Sequence, residues 1–163
     1  MKKINFVFIT LIASLLFVSC DKELTESNNK EIGKLAFSIS KEHNALAGIS
    51  LKAGEAYNLD LVSEAIITIE KDGVVVEGFD SKTLAISSWG DGNYTTPDIQ
   101  LEVATGYSLT KFELKNADGL MIFASPTTGE AGAENVDNPL PLSFDIALDA
   151  TTPIDVEVLS TEV

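Results

Sequence analysis

From Lys34 onward, apolar and polar residues alternate with a period of two. Leu35, Phe37 and Ile39 alternate with Ala36, Ser38 and Ser40, and Ala65, Ile67 and Ile69 lead into Asp72-Gly73 and the run Val74-Val75-Val76. Asp-Gly between two such runs predicts a hairpin, because both turn residues must take positive φ. Ile99, Leu101 and Val103 form a further strand, and Thr105-Gly106 is read as the turn into Tyr107–Leu114. Within that last run the parity changes. Tyr107 and Leu109 share one face, while Phe112 and Leu114 belong to the other, so a one-residue bulge near Thr110-Lys111 is needed to return all four to the core. Asn116-Ala117-Asp118-Gly119 predicts the next turn, with Leu120–Ala124 returning. Leu142, Phe144, Ile146 and Leu148 alternate cleanly, as do Ile154, Val156 and Val158. Leu46–Leu61 is read either as a strand with loops or as a short helical turn. Ser125–Pro141 is the longest irregular stretch, and loops of that length are usually functional or mobile. Seven or eight short strands, each with one polar face, predict an all-β fold, an antiparallel β-sandwich.

The N-terminus follows a different pattern. Met1-Lys2-Lys3 is a short positive segment, and Ile4–Val18 is apolar apart from Asn5, Thr10 and Ser14. That run is short for a membrane span and fits a secretory signal peptide. The only cysteine, Cys20, stands where it stops. Phe17-Val18-Ser19-Cys20 resembles the lipobox of bacterial lipoproteins, with Phe17 in place of the usual Leu. The resemblance implies acylation of Cys20 and cleavage before it. Several acyl chains on one residue suffice for stable anchoring, where one does not. Residues 1–19 are thus expected to be a signal peptide, 20–33 the lipidated Cys with an acidic, solvated tether, and 34–163 the β-sandwich. The acidic stretch after Cys20 resembles the surface-export signals of Bacteroidota lipoproteins. This implies an outer-membrane lipid anchor, with the surface or periplasmic face left open.

Charge narrows the partners. The chain has 11 lysines, no arginine and 25 acidic residues, a formal charge of -14. A polyanion without guanidinium groups cannot bind a phosphate backbone by counterion release, so no nucleic-acid partner is expected. Nor can charge alone hold the chain on an anionic bilayer. One His and one Cys make neither a zinc cluster nor a disulfide framework.

The run GYSLTKFELKNADGLMIFASP, followed by NPLPLSFDIAL, resembles Bacteroidota surface lipoproteins built from Ig-like or transthyretin-like sandwiches. Its Gly-Tyr-x-Leu-Thr piece is similar to a strand of collagen-adhesin B-type repeats. Those repeats often carry a Lys-Asn isopeptide bond catalysed by an acid in this strand. Lys111 stands about where that acid would lie, and Ile154–Leu159 has no Asn, so the resemblance carries the architecture and not the bond.

Candidate chemistry is sparse. His43 lies in a polar segment with no nucleophile elbow or Cys partner, and reads as a solvated loop residue. A glycosidase needs two acids across a cleft, but Glu102, Asp145, Asp149 and Glu157 fall at polar alternation positions and are expected to face water. The most site-like segment is Trp89-Gly90-Asp91-Gly92-Asn93-Tyr94. Trp89 and Tyr94 could stack on sugar rings while Asp91 and Asn93 bond hydroxyls; alternatively, Trp89 is core and Asp91-Gly92-Asn93 only a turn. Asp91, Asn93 and Asp98, or the acids of residues 130–137, supply oxygens of the kind calcium takes, but without EF-hand spacing. No cofactor is expected. The reading is a lipid-anchored, non-catalytic binding or accessory module for a glycan, a host protein or an envelope partner. The alternative is a structural subunit of a surface assembly such as a fimbria, with a small glycan-active enzyme third.

Overall fold

The computed structural model describes residues 30–40, 59–90 and 93–161. Cys20, His43 and Asp91, with the signal peptide and most of the tether, lie outside the described residues. The described chain contains twelve strands: β1 (Ile32–Ser40), β2 (Val62–Lys71), β3 (Val74–Val75), β4 (Lys82–Ala85), β5 (Ser87–Gly90), β6 (Asn93–Thr95), β7 (Ile99–Glu102), β8 (Ala104–Asn116), β9 (Met121–Ala124), β10 (Leu142–Ile146), β11 (Thr151–Asp155) and β12 (Leu159–Ser160). The fold is the expected all-β sandwich. Its strands outnumber the seven or eight expected because several are only two to four residues long.

In the first sheet β1 is central. It pairs in parallel with β11 on one side, while β6 and β7 share its other side and β5 lies beyond β6. In the second sheet β8 pairs with β2 along one side. Its other side is divided between β10 and β9, β3 and β4 extend β2, and β12 extends β9. The core lies between the sheets. Leu35, Phe37 and Ile39 of β1 meet Ala65, Ile67 and Ile69 of β2 and the apolar residues of β8. The Phe37 and Phe112 rings sit 5.6 Å apart at 59°, within the tilted geometry that aromatic pairs favour.

The parity change in β8 is resolved by a bulge. Thr68 pairs with Lys111 and Ile69 with Leu109, leaving Thr110 as the extra residue. Tyr107, Leu109, Phe112 and Leu114 are consequently all buried. The Asp72-Gly73 turn has φ of 52° and 79°, as an Asp-Gly hairpin requires. In the second predicted turn Asn116 Oδ1 accepts from the backbone N–H groups of Asp118 and Leu120 at 3.0 and 2.9 Å.

Four features depart from expectation. Thr105-Gly106 is not a hairpin turn: both residues belong to β8, and the chain instead crosses from the first sheet to the second at Val103. Gly106 keeps a positive φ of 81° there, and a Cβ on it would stand 2.6 Å from Asp72 Oδ1. The expected single strand Ile154–Leu159 is divided between β11 in one sheet and β12 in the other. Residues 156–158 make that crossing with both faces covered, so Glu157 is buried rather than solvated, and its Oε2 accepts from the Asn138 N–H at 2.7 Å. The domain also starts earlier than Lys34. β1 begins at Ile32, and Gly33 is required because an added Cβ would collide with the Ala147 carbonyl oxygen. Finally, Leu148, the last of the alternating residues after Leu142, lies beyond the end of β10 and is exposed.

Candidate functional site

The strand register sorts the expected site residues by their position along β1. Asn93 pairs with Ser40 at the far end of β1, whereas Ile99 pairs with Leu35 and Glu102 with Ile32 at the near end. The hairpin joining β5 to β6 therefore caps the far end, where Gly90 pairs with Asn93. Trp89 stands by its backbone at the close of β5, and Asn93, half-buried, opens β6.

Tyr94 has a different environment from the one expected of a sugar-stacking ring. It is 5% exposed and belongs to the core cluster. Its hydroxyl donates to the carboxylate of Asp60, in the helical turn Leu59–Leu61. The tyrosine thus pins the base of the hairpin to a segment remote in sequence. The Asp60 hydrogen bond, then burial, then the negative charge of Asp60 push the phenol up from 10.0 to about 12. Tyr107 is raised as well, first by burial and then by the charge of Glu102; its hydroxyl donates to the Glu102 carbonyl at 2.8 Å.

This has a testable consequence. An unfolded tyrosine ionises near pH 10, while folded Tyr94 keeps its proton to about pH 12. The unfolded state thus binds fewer protons in that interval, so the stabilisation is complete below pH 10 and is lost as pH rises towards 12. Urea unfolding across this interval should show stability falling with pH, and Tyr94→Phe should reduce the fall. An unchanged pH profile in the variant would show that Tyr94 is not the titrating group.

Among the described residues, the possible calcium ligands are not gathered. Asp98 adjoins Ile99, opposite Leu35, five residues along β1 from the Ser40–Asn93 pair, or about 16 Å of strand. Its carboxylate instead pairs with Lys34 at 3.4 Å. In the loop of residues 125–141, Glu134 Oε2 accepts from the Gly132 N–H at 3.1 Å. That loop is closed on itself: Leu140 N–H donates to the Pro126 carbonyl at 2.9 Å, and Thr128 N–H to the Leu140 carbonyl at 2.8 Å. Among the described residues, no group of three or more His, Cys, Asp or Glu could hold a metal ion.

Several further acids have partners within the fold. Glu102 pairs with Lys30 at 3.1 Å and Glu113 with Lys111 at 3.2 Å. Asp155 accepts from the Ser38 hydroxyl, and Asp145 Oδ1 from the Gly106 N–H at 3.2 Å.

Periodicity missed a second feature, at the near end of β1. Ile32, Val74, Val75, Val76, Phe79 and Leu101 line a groove of about 490 Å³ between the edges of the two sheets, with Lys30, Lys71, Glu77 and Glu102 among its polar residues. One signal was available: three successive valines after a tight turn cannot all point inward from one strand.

The fold defines a two-sheet antiparallel β-sandwich with one parallel pair. No family model matches the chain, and no curated protein matches it. Among solved structures, the chain is similar to a leucine-rich repeat protein from Bacteroides thetaiotaomicron, with a TM-score of 0.50 and 14% identity over 78% of this chain. The chain spans 12% of that protein's length, and the likeness speaks to the fold alone.

Proposed function

We propose that this chain is a lipid-anchored envelope protein whose sandwich serves as a non-catalytic binding or accessory module. A glycan, a host protein or an envelope partner would be engaged through the loops at the Trp89 end. The observation that carries this reading is the polarity of β1. The segment arriving from Cys20 reaches the domain at Lys30, beside one end of the strand, while the Trp89–Asn93 hairpin caps the other. Nine strand residues span about 30 Å, so a domain anchored through Cys20 would hold that hairpin away from its attachment. The ion pairs and hydrogen bonds that occupy Glu102, Asp98, Asp145, Asp155 and Glu157 support structural rather than catalytic roles for these acids.

Protease shaving of intact cells expressing the chain with a C-terminal epitope tests the placement. Loss of the epitope indicates the outer surface, and protection until the envelope is opened indicates the periplasm. Trp89→Ala is expected to weaken retention on the cognate glycan or protein while leaving the unfolding midpoint in place. A variant that instead unfolds would assign Trp89 to packing and remove the main support for a glycan site. The alternative, a subunit assembling through sheet edges, draws on β10, which pairs with β8 alone among the described strands and follows Pro139 and Pro141. It requires the purified protein to self-associate as concentration rises.

A further inference from the structure

The near end of the sandwich exposes a contiguous apolar surface. Ile32, Val74 and Val75 are 43%, 70% and 43% exposed, and all three line the one groove that Phe79 and Leu101 floor. Isolated exposed aliphatics need no explanation, whereas a contiguous patch with a polar rim marks a contact surface. The rim carries both signs. Lys30 is paired with Glu102 at 3.1 Å, the Lys71 ammonium lies 5.6 Å from the centre of the Tyr107 ring, and Glu77 completes the wall.

We infer that this end of the domain docks on the phospholipid headgroup layer, with Ile32, Val74 and Val75 entering the interface. The inference rests on the lipid-anchor reading of Cys20. Its first support is where the chain enters the domain. Lys30 is itself a wall of the groove and stands ten residues after Cys20, a distance of at most about 36 Å even when fully extended. The groove end is therefore the end that an anchor at Cys20 would hold near the bilayer. Its second support is charge. Lysines flanking the patch can reach lipid phosphates while their stems lie along apolar surface. The neighbouring Glu77 and Glu102 suit the ammonium of a zwitterionic headgroup, and the chain's charge of -14 disfavours a purely anionic surface. Its third support is tethering. Once the anchor has brought the domain to the surface, docking is intramolecular, so a shallow patch suffices where a free domain would not bind.

The test uses the full lipidated chain. Cys20 is the only cysteine, and acylation consumes its thiol, so Val75→Cys offers a single site for a fluorophore. Leu120→Cys is the control: Leu120 is 58% exposed but adjoins the β8–β9 turn at the opposite end. Each protein is placed in phosphatidylcholine–phosphatidylethanolamine vesicles carrying brominated acyl chains, which quench only probes that reach the interface. Strong quenching at Val75→Cys with little at Leu120→Cys is expected, and Val74→Asp in the Val75→Cys chain should relieve it. Equal quenching at both sites, in protein whose intact mass shows acylated Cys20, would overturn the docking and leave the anchor standing. A mass showing unmodified Cys20 would overturn both.

Discussion

Deletion of Thr110 is expected to abolish folding, whereas Thr110→Ala leaves the sandwich intact. Thr110 is the unpaired residue that lets Tyr107 and Leu109 point to the same side as Phe112 and Leu114. Without it, β8 regains strict alternation, and one pair or the other must turn outward. All four side chains are buried, and exposing a large apolar side chain costs about 1.5–3 kcal/mol each. The same shift carries polar neighbours such as Ser108 or Lys111 inward, at further cost. The sum approaches the whole stability of a domain, about 5–15 kcal/mol. Thr110→Ala keeps the residue count and thus the bulge, and a substitution at this half-buried position should change stability little. Circular dichroism and urea unfolding of the two variants decide the matter. A folded deletion variant would mean that the register slips elsewhere in β8.

The second large effect is expected at the aromatic contact between the sheets. Phe37→Ala and Phe112→Ala should each cost about 3–5 kcal/mol, the usual range for removing a buried phenylalanine. Both residues are at most 1% exposed, so neither site can collapse towards solvent. Because the rings touch across the interface at 5.6 Å, the double variant should lose less than the sum of the two. The shortfall should be about 0.5–1.5 kcal/mol. Unfolding of all four proteins measures it. Strict additivity would indicate that the two rings pack independently.

Much of this architecture was legible because alternation reports which face of a strand is buried. It placed the inward residues of β1, β2 and β7, the turns at Asp72-Gly73 and Asn116–Gly119, and the bulge in β8. What it cannot report is which sheet a strand joins. The crossing at Val103 and the division of the last expected strand into β11 and β12 leave no mark in a period of two. Glu157 was misplaced for the same reason, since a segment passing between sheets is covered on both faces. The candidate site was legible as the turn-rich segment Trp89–Tyr94, but the β5–β6 pairing that holds it and the orientation of Tyr94 were not. Its partner, Asp60, is 34 residues away in a helical turn with no periodic signal. The groove beside Lys30 was hidden because it joins β1, the β2–β3 hairpin, β7 and β8, which only the sheet order brings together.

The parallel pairing of β1 with β11 sets the time at which the molecule can close. Lys34 finds its partner in Thr151 and Ser38 in Asp155, each 117 residues further along. A chain delivered with its N-terminus leading therefore passes almost all of its length before its first sheet can acquire that side. Pairings of such sequence separation also form slowly. The first sheet is thereby a late-closing one, complete only when the last strands of the chain are present to flank its earliest strand.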